Sequence, residues 1–95
     1  MRPCVYILAS GKNGTFHVGV TSDLARRVSE HKSDAIEGFT TRYGIHTLVY
    51  AEFHETMPLA IEREKQLKKW RRAWKIELIE KENPNWRDLH GDWNL

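Results

Sequence analysis

Ninety-five residues suffice for one domain with a single modest core. Apolar residues make up 40% and charged residues 29% of the chain, which excludes a disordered polymer, and no apolar run reaches the roughly 20 residues of a membrane helix. The 15 basic and 13 acidic side chains leave a net charge of +2, too small to indicate a polyanionic partner by itself. The lone cysteine, Cys4, rules out an intrachain disulfide and speaks against a cysteine-based zinc site, so a reducing cytoplasm is the natural setting.

The N-terminal apolar run is too short for a signal peptide and reads instead as a first strand, Val5–Leu8. Ser10-Gly11-Lys12-Asn13-Gly14 is turn chemistry, and Thr15–Val20 reads as the returning strand of a hairpin. Thr21 or Ser22 is the expected cap of a helix reaching about His31, with Asp23 in its first turn and Leu24 and Val28 as its buried pair. A long polar loop follows, its length suggesting a functional segment, and then a third strand, Thr47–Phe53.

Pro58 sits at the start of a helical pattern that runs to about Glu82, with a break expected between Trp70 and Ala73. Asn83-Pro84 ends it, and the remaining tail is expected to pack loosely. The order β-β-α-β-α-α predicts an α+β fold, a three-stranded antiparallel sheet flanked by helices. The whole of 1–90 reads as one domain and 91–95 as a C-terminal tail.

Several polar residues interrupt the apolar pattern. Asp23, Arg27 and His31 form one row on the first helix, where the plain reading is an Asp23–Arg27 ion pair with His31 near the helix end. Ala60, Leu67, Trp70 and Trp74 form an apolar stripe that contains Glu64. A carboxylate there must be paired or hold a hard cation, and periodicity does not choose between an arginine partner and a metal. Tyr6 and His17, on adjacent strands, can share a face as core filler or as site residues. The run Arg63–Lys75 concentrates cations around two tryptophans, which fits either a solvated helix face or a nucleic-acid contact through Lys68, Lys69, Arg71 and Arg72.

Taken in order, Val5-Tyr6-Ile7, His17-Val18-Gly19, "GVTSDLARRVSEH", "AIEREKQLKKW" and "LIEKENPNWRDL" resemble the GIY-YIG nuclease superfamily. The likeness is to its small stand-alone bacterial members, related to the nuclease domain of excinuclease C, and spans about Pro3 to Leu89. It implies a metal-dependent endonuclease that hydrolyses DNA phosphodiester bonds, with a place in repair or recombination.

The resemblance also assigns roles. Tyr6 positions or activates the nucleophile, Gly19 allows close backbone packing, and Arg27 meets the charge on the phosphate. His31 is an auxiliary polar group, and Glu64 binds one Mg²⁺ or Mn²⁺. Tyr43 and Asn83 are auxiliary candidates. The sequence departs from the family pattern at His17, where tyrosine is usual. An imidazole can accept a proton, but it is shorter than a phenol. The alternative is therefore a catalytically weak or inactive nucleic-acid-binding module on the same fold. A third possibility is a protein-interaction domain using the tryptophan-rich end. So small a chain is expected to need a homodimer or a partner protein to grip a duplex, and no membrane.

Overall fold

A computed structural model describes residues 2–32 and 44–90. Strand β1, Cys4–Ala9, is buried along its whole length, which accounts for its unbroken apolar sequence. It is the centre of a three-stranded antiparallel sheet of order β2-β1-β3. The hairpin to β2, Phe16–Thr21, closes through Ser10 N–H to the Thr15 carbonyl at 3.0 Å. Asn13 takes the left-handed conformation there, with φ 56°, which asparagine tolerates better than most residues.

Helix α1, Leu24–Lys32, is capped by Asp23 rather than by Thr21 or Ser22: its Oδ1 accepts from the Arg26 N–H at 3.2 Å. Thr21 instead braces the cap, its hydroxyl accepting from the Asp23 N–H at 3.0 Å. Leu24 and Val28 are buried as expected, and they seal one face of the sheet together with Cys4, Leu8, Ile45 and Leu48.

Strand β3, Thr47–Phe53, pairs with the other edge of β1. Ile7 faces Tyr50 while Leu8 faces Leu48, so Val49 is an extra, bulged residue. Helix α2, Met57–Lys69, starts where Thr56 Oγ1 accepts from the Leu59 N–H at 3.3 Å, with Pro58 in its first turn. It lies against β2 and β1, and helix α3, Arg72–Glu82, lies against β3. These two helices cover the second face, where Val5, Ile7, Val18, Val49, Ala60, Leu67 and Ile79 form a core.

The helical break falls at Trp70 and Arg71, both extended, with ψ near 149° and 150°. Tertiary contacts account for it without glycine or proline. Arg72 donates to the carbonyls of Asn13 and Gly14 at 2.6 and 2.7 Å and lies 4.2 Å over the Phe16 ring, so α3 begins pinned to the hairpin. The expected stripe ends at this break. Ala60 and Leu67 are fully buried, whereas Trp74, beyond the elbow, is 49% exposed.

Residues 84–90 do not pack loosely. Trp86 is buried, stacks on Phe16 at 5.4 Å and donates its indole N–H to Glu80 at 2.7 Å. Asp88 pairs with Lys32 and accepts from the Leu48 N–H at 3.3 Å. Burial opposes its ionisation, but Lys32 and the N–H groups of His90 and Leu48 outweigh that and hold its carboxyl below the ordinary value. The tail is aromatic because it completes the core beneath the hairpin. Among the described residues no helix is long and apolar enough to cross a membrane.

Candidate functional site

Cross-strand partners in an antiparallel pair project to the same face. Tyr6 is opposite Gly19 and Leu8 is opposite His17, so Tyr6 and His17 share the face covered by α1. Gly19 explains where the phenol goes. A Cβ at that position would stand 2.4 Å from both Cζ and Oη of Tyr6, so the ring lies directly across the backbone of the edge strand β2. The last turn of α1 brings His31 to the same place, 4% exposed, with Nε2 3.4 Å from the Tyr6 hydroxyl. The ring centroids of Tyr6, His17 and His31 form a triangle with sides of 6.2, 6.2 and 5.4 Å.

Charged groups surround this triangle. Burial pushes the Tyr6 phenol up to about 12, with Arg27 opposing and Glu64 and Glu30 reinforcing the rise. Burial also drives His17 down to about 4, helped by His31, Lys68 and Arg27 and opposed by Glu64. His31 is lowered for the same first reason, then by Arg27. At neutral pH the cluster therefore holds a protonated phenol and two neutral imidazoles. The carboxylate of Glu64 is felt by both Tyr6 and His17, and the guanidinium of Arg27 by all three rings. Helix α2 lies against the edge strand β2, and from that helix the Glu64 carboxylate raises both Tyr6 and His17.

Arg27 and Glu64 each have an ion partner about one helical turn away. Arg27 lies 4.0 Å from Glu30, not paired with Asp23, which is occupied as the helix cap. Glu64, with its side chain 15% exposed, is 3.3 Å from Lys68 one turn along the helix rather than from an arginine. Glu30 and Lys68 are the groups that pattern reading underrated at this site. Their i,i+3 and i,i+4 spacings from Arg27 and Glu64 were the available signal.

The donor set suits a hard cation held loosely. Among the described residues no group of three or more His, Cys, Asp or Glu converges as a metal cage. One carboxylate, with water and substrate oxygens completing the shell, is the usual manner of Mg²⁺.

The other candidates are dispersed. Asn83 lies at the opposite edge of the sheet, 3% exposed, donating to the Val49 carbonyl at 3.1 Å and the Arg87 carbonyl at 2.9 Å. It satisfies the bulged residue of β3. Arg72 is committed to the hairpin, while Arg71 lies 5.4 Å over the Trp74 ring. Lys68 and Lys69 occupy the last turn of α2. Tyr43 lies outside the described residues.

Comparison with known proteins identifies the family. Residues 2–77 match the model of the GIY-YIG catalytic domain. The chain belongs to the GIY-YIG family. That family is one of nucleases, and nucleic acid is its class of partner. The chain is 32% identical to a UPF0213 protein of Clostridium perfringens over 96% of its own length and 97% of that protein's. It is 30% identical to a UPF0213 protein of Streptococcus sanguinis, covering 85% of this chain and 92% of that one. The solution NMR structure of a UPF0213 protein from Bacillus halodurans superposes with a TM-score of 0.57 at 27% identity, covering 93% of each chain. This GIY-YIG domain is thus similar to small proteins of its own length.

Proposed function

We propose that this GIY-YIG domain is an endonuclease that hydrolyses DNA phosphodiester bonds with the aid of one Mg²⁺ or Mn²⁺. The observation that carries this reading is the meeting of Tyr6, His17 and His31 within the fields of Arg27 and Glu64 at one sheet edge. Glu64 would hold the ion, which when bound supplies Lewis-acid charge at the phosphate and the leaving oxygen. His17, neutral at pH 7, accepts a proton from the attacking water. Tyr6, protonated at that pH, holds the water by hydrogen bonding. Arg27 turns from Glu30 to the phosphate, whose geometry a guanidinium matches. His31 fixes the Tyr6 hydroxyl.

A lone buried thiol at Cys4 suits a reducing cytoplasm, and DNA repair or recombination is the pathway class that the family resemblance implies. A second copy or a partner protein would extend the grip on a duplex.

Plasmid nicking with and without Mn²⁺ or Mg²⁺ tests the proposal. Glu64→Ala and Arg27→Ala should each abolish metal-stimulated cleavage. Cleavage that survives both substitutions and chelation refutes it.

One observation favours a second reading, a binding module with feeble or no catalysis. An imidazole held near 4 is a weak base, and a general base is typically worth about 10²- to 10⁴-fold. His17→Tyr separates the two. A gain of cleavage from none identifies a lapsed nuclease, and metal-dependent cleavage by the natural chain identifies an active one.

A further inference from the structure

A second surface, distinct from the ring cluster, lies at the elbow between α2 and α3. Trp70 and Trp74 meet there edge to face, with centroids 6.1 Å apart and an interplanar angle of 86°. With Leu78 they form the apolar lining of a groove of about 680 Å³, completed by Glu77, Glu80 and Lys81. Arg63 lies 5.0 Å from the Trp70 ring centre and Arg71 lies 5.4 Å from that of Trp74. Nearly half of Trp74 nevertheless faces solvent.

The surrounding charge indicates what this surface accepts. Residues 65–75 contain six cations and no carboxylate. Lys68 is occupied by Glu64 and Arg72 by the hairpin, while Lys65, Lys69 and Arg71 form no ion pair among the described residues. Lys75 is lowered first by burial and then by the charge of Arg72. Glu77 and Glu80 both line the groove as carboxylates, Glu80 while accepting the Trp86 indole N–H, so phosphates are favoured only on the side of residues 65–75.

We propose that the Trp70–Trp74 elbow is a stacking site for an unpaired nucleobase, with the cations of residues 65–75 seating the flanking phosphates. An indole can stack only on a base whose face is open, as in a single strand, flap or bubble, and not on one inside a duplex. The inference rests on the nucleic-acid partner of the proposed nuclease. It narrows the substrate class to strands with unpaired bases near the cut.

The test is equilibrium binding of the full chain without divalent metal, so that cleavage plays no part. The probes are a labelled oligothymidine strand, an abasic strand of the same length and charge, and a duplex of that length. The natural chain should bind oligothymidine roughly 5- to 100-fold more tightly than the abasic strand. Trp74→Ala should erase that difference while leaving affinity for the abasic strand unchanged, and Trp74→Phe should keep part of it. Equal binding of the two single strands by the natural chain overturns the stacking site and leaves the nucleic-acid partner standing. No binding of any probe at low salt overturns both. A base preference that persists in folded Trp74→Ala, or a dimer that dissociates in Trp74→Ala without strand discrimination, assigns the groove to something else and also overturns the proposal.

Discussion

Substituting Gly19 by alanine isolates the contact on which the ring cluster depends. The new Cβ would lie 2.4 Å from Cζ and Oη of Tyr6 and 2.9 Å from Cε1. Comfortable carbon contacts begin near about 3.5 Å, so the ring must retreat by roughly 1 Å. Tyr6 is only 2% exposed and packs among Leu8, Leu24, Val28 and Leu48, which leaves little room for that movement. Overpacking of this kind costs about 1–3 kcal/mol. Loss of the hydroxyl's contact with His31, already 3.4 Å long, adds up to about 1 kcal/mol. In a strand interior alanine is otherwise better than glycine by roughly 0.5–1 kcal/mol, so the sign itself is diagnostic.

Urea denaturation followed by circular dichroism should show Gly19→Ala less stable by about 1–3 kcal/mol net. In a Tyr6→Leu background, which removes the three clashing atoms, the same substitution should become neutral or stabilising. Equal destabilisation in both backgrounds, or natural stability of the single variant, would refute the crossing of ring over backbone.

Acid should destabilise the metal-free chain before any carboxylate titrates. The folded-state pKa of His17 is depressed from 6.5 to about 4, so the unfolded chain takes up the proton first, and stability present above pH 6.5 is lost as pH falls toward 4. At about 1.4 kcal/mol per pH unit, discounted for partial exposure, His17 contributes roughly 1–2 kcal/mol, and His17→Gln should reduce the slope between pH 6.5 and 5, with the lowered His31 supplying the remainder. The lowered carboxyls of Glu52 and Asp88 act in the same direction but below the ordinary carboxylate range. Asn83→Ala should cost about 1–3 kcal/mol by stranding the Val49 carbonyl, with metal-dependent cleavage retained at a temperature where the variant is folded. Loss of cleavage at full stability would place that amide in the reaction instead. Arg72→Ala should accelerate hydrogen exchange in the hairpin turn, residues 10–15, and Arg72→Lys should rescue it poorly, because the planar guanidinium donates to two carbonyls while lying over the Phe16 ring.

Much of the architecture follows from local chemistry. The unbroken apolar run of β1 requires burial on both faces, Asn13-Gly14 requires a turn, and Pro58 after Thr56 requires a helix start. Those features yield the element order without any tertiary information. Glu64 was conspicuous for the same reason, since a carboxylate between Ala60 and Leu67 on one helical stripe cannot be left bare.

Sequence pattern stopped short where partners are remote or interchangeable. Asp23 had two cations within helical reach and instead took a backbone N–H, because the first turn of α1 offers orphan donors there. Asn83 was an apt candidate for chemistry until the bulge at Val49 claimed its amide, and a bulge arises only when two strands are laid side by side. The same holds for the depressed basicity of His17. Its composition allows a base near neutrality, but burial beside His31, Lys68 and Arg27, drawn from two different helices, removes that option. Short-range propensity depends on a few neighbouring residues and can be read along a line. Desolvation and Coulomb fields depend on everything within several ångströms, and only the folded chain decides what that neighbourhood contains.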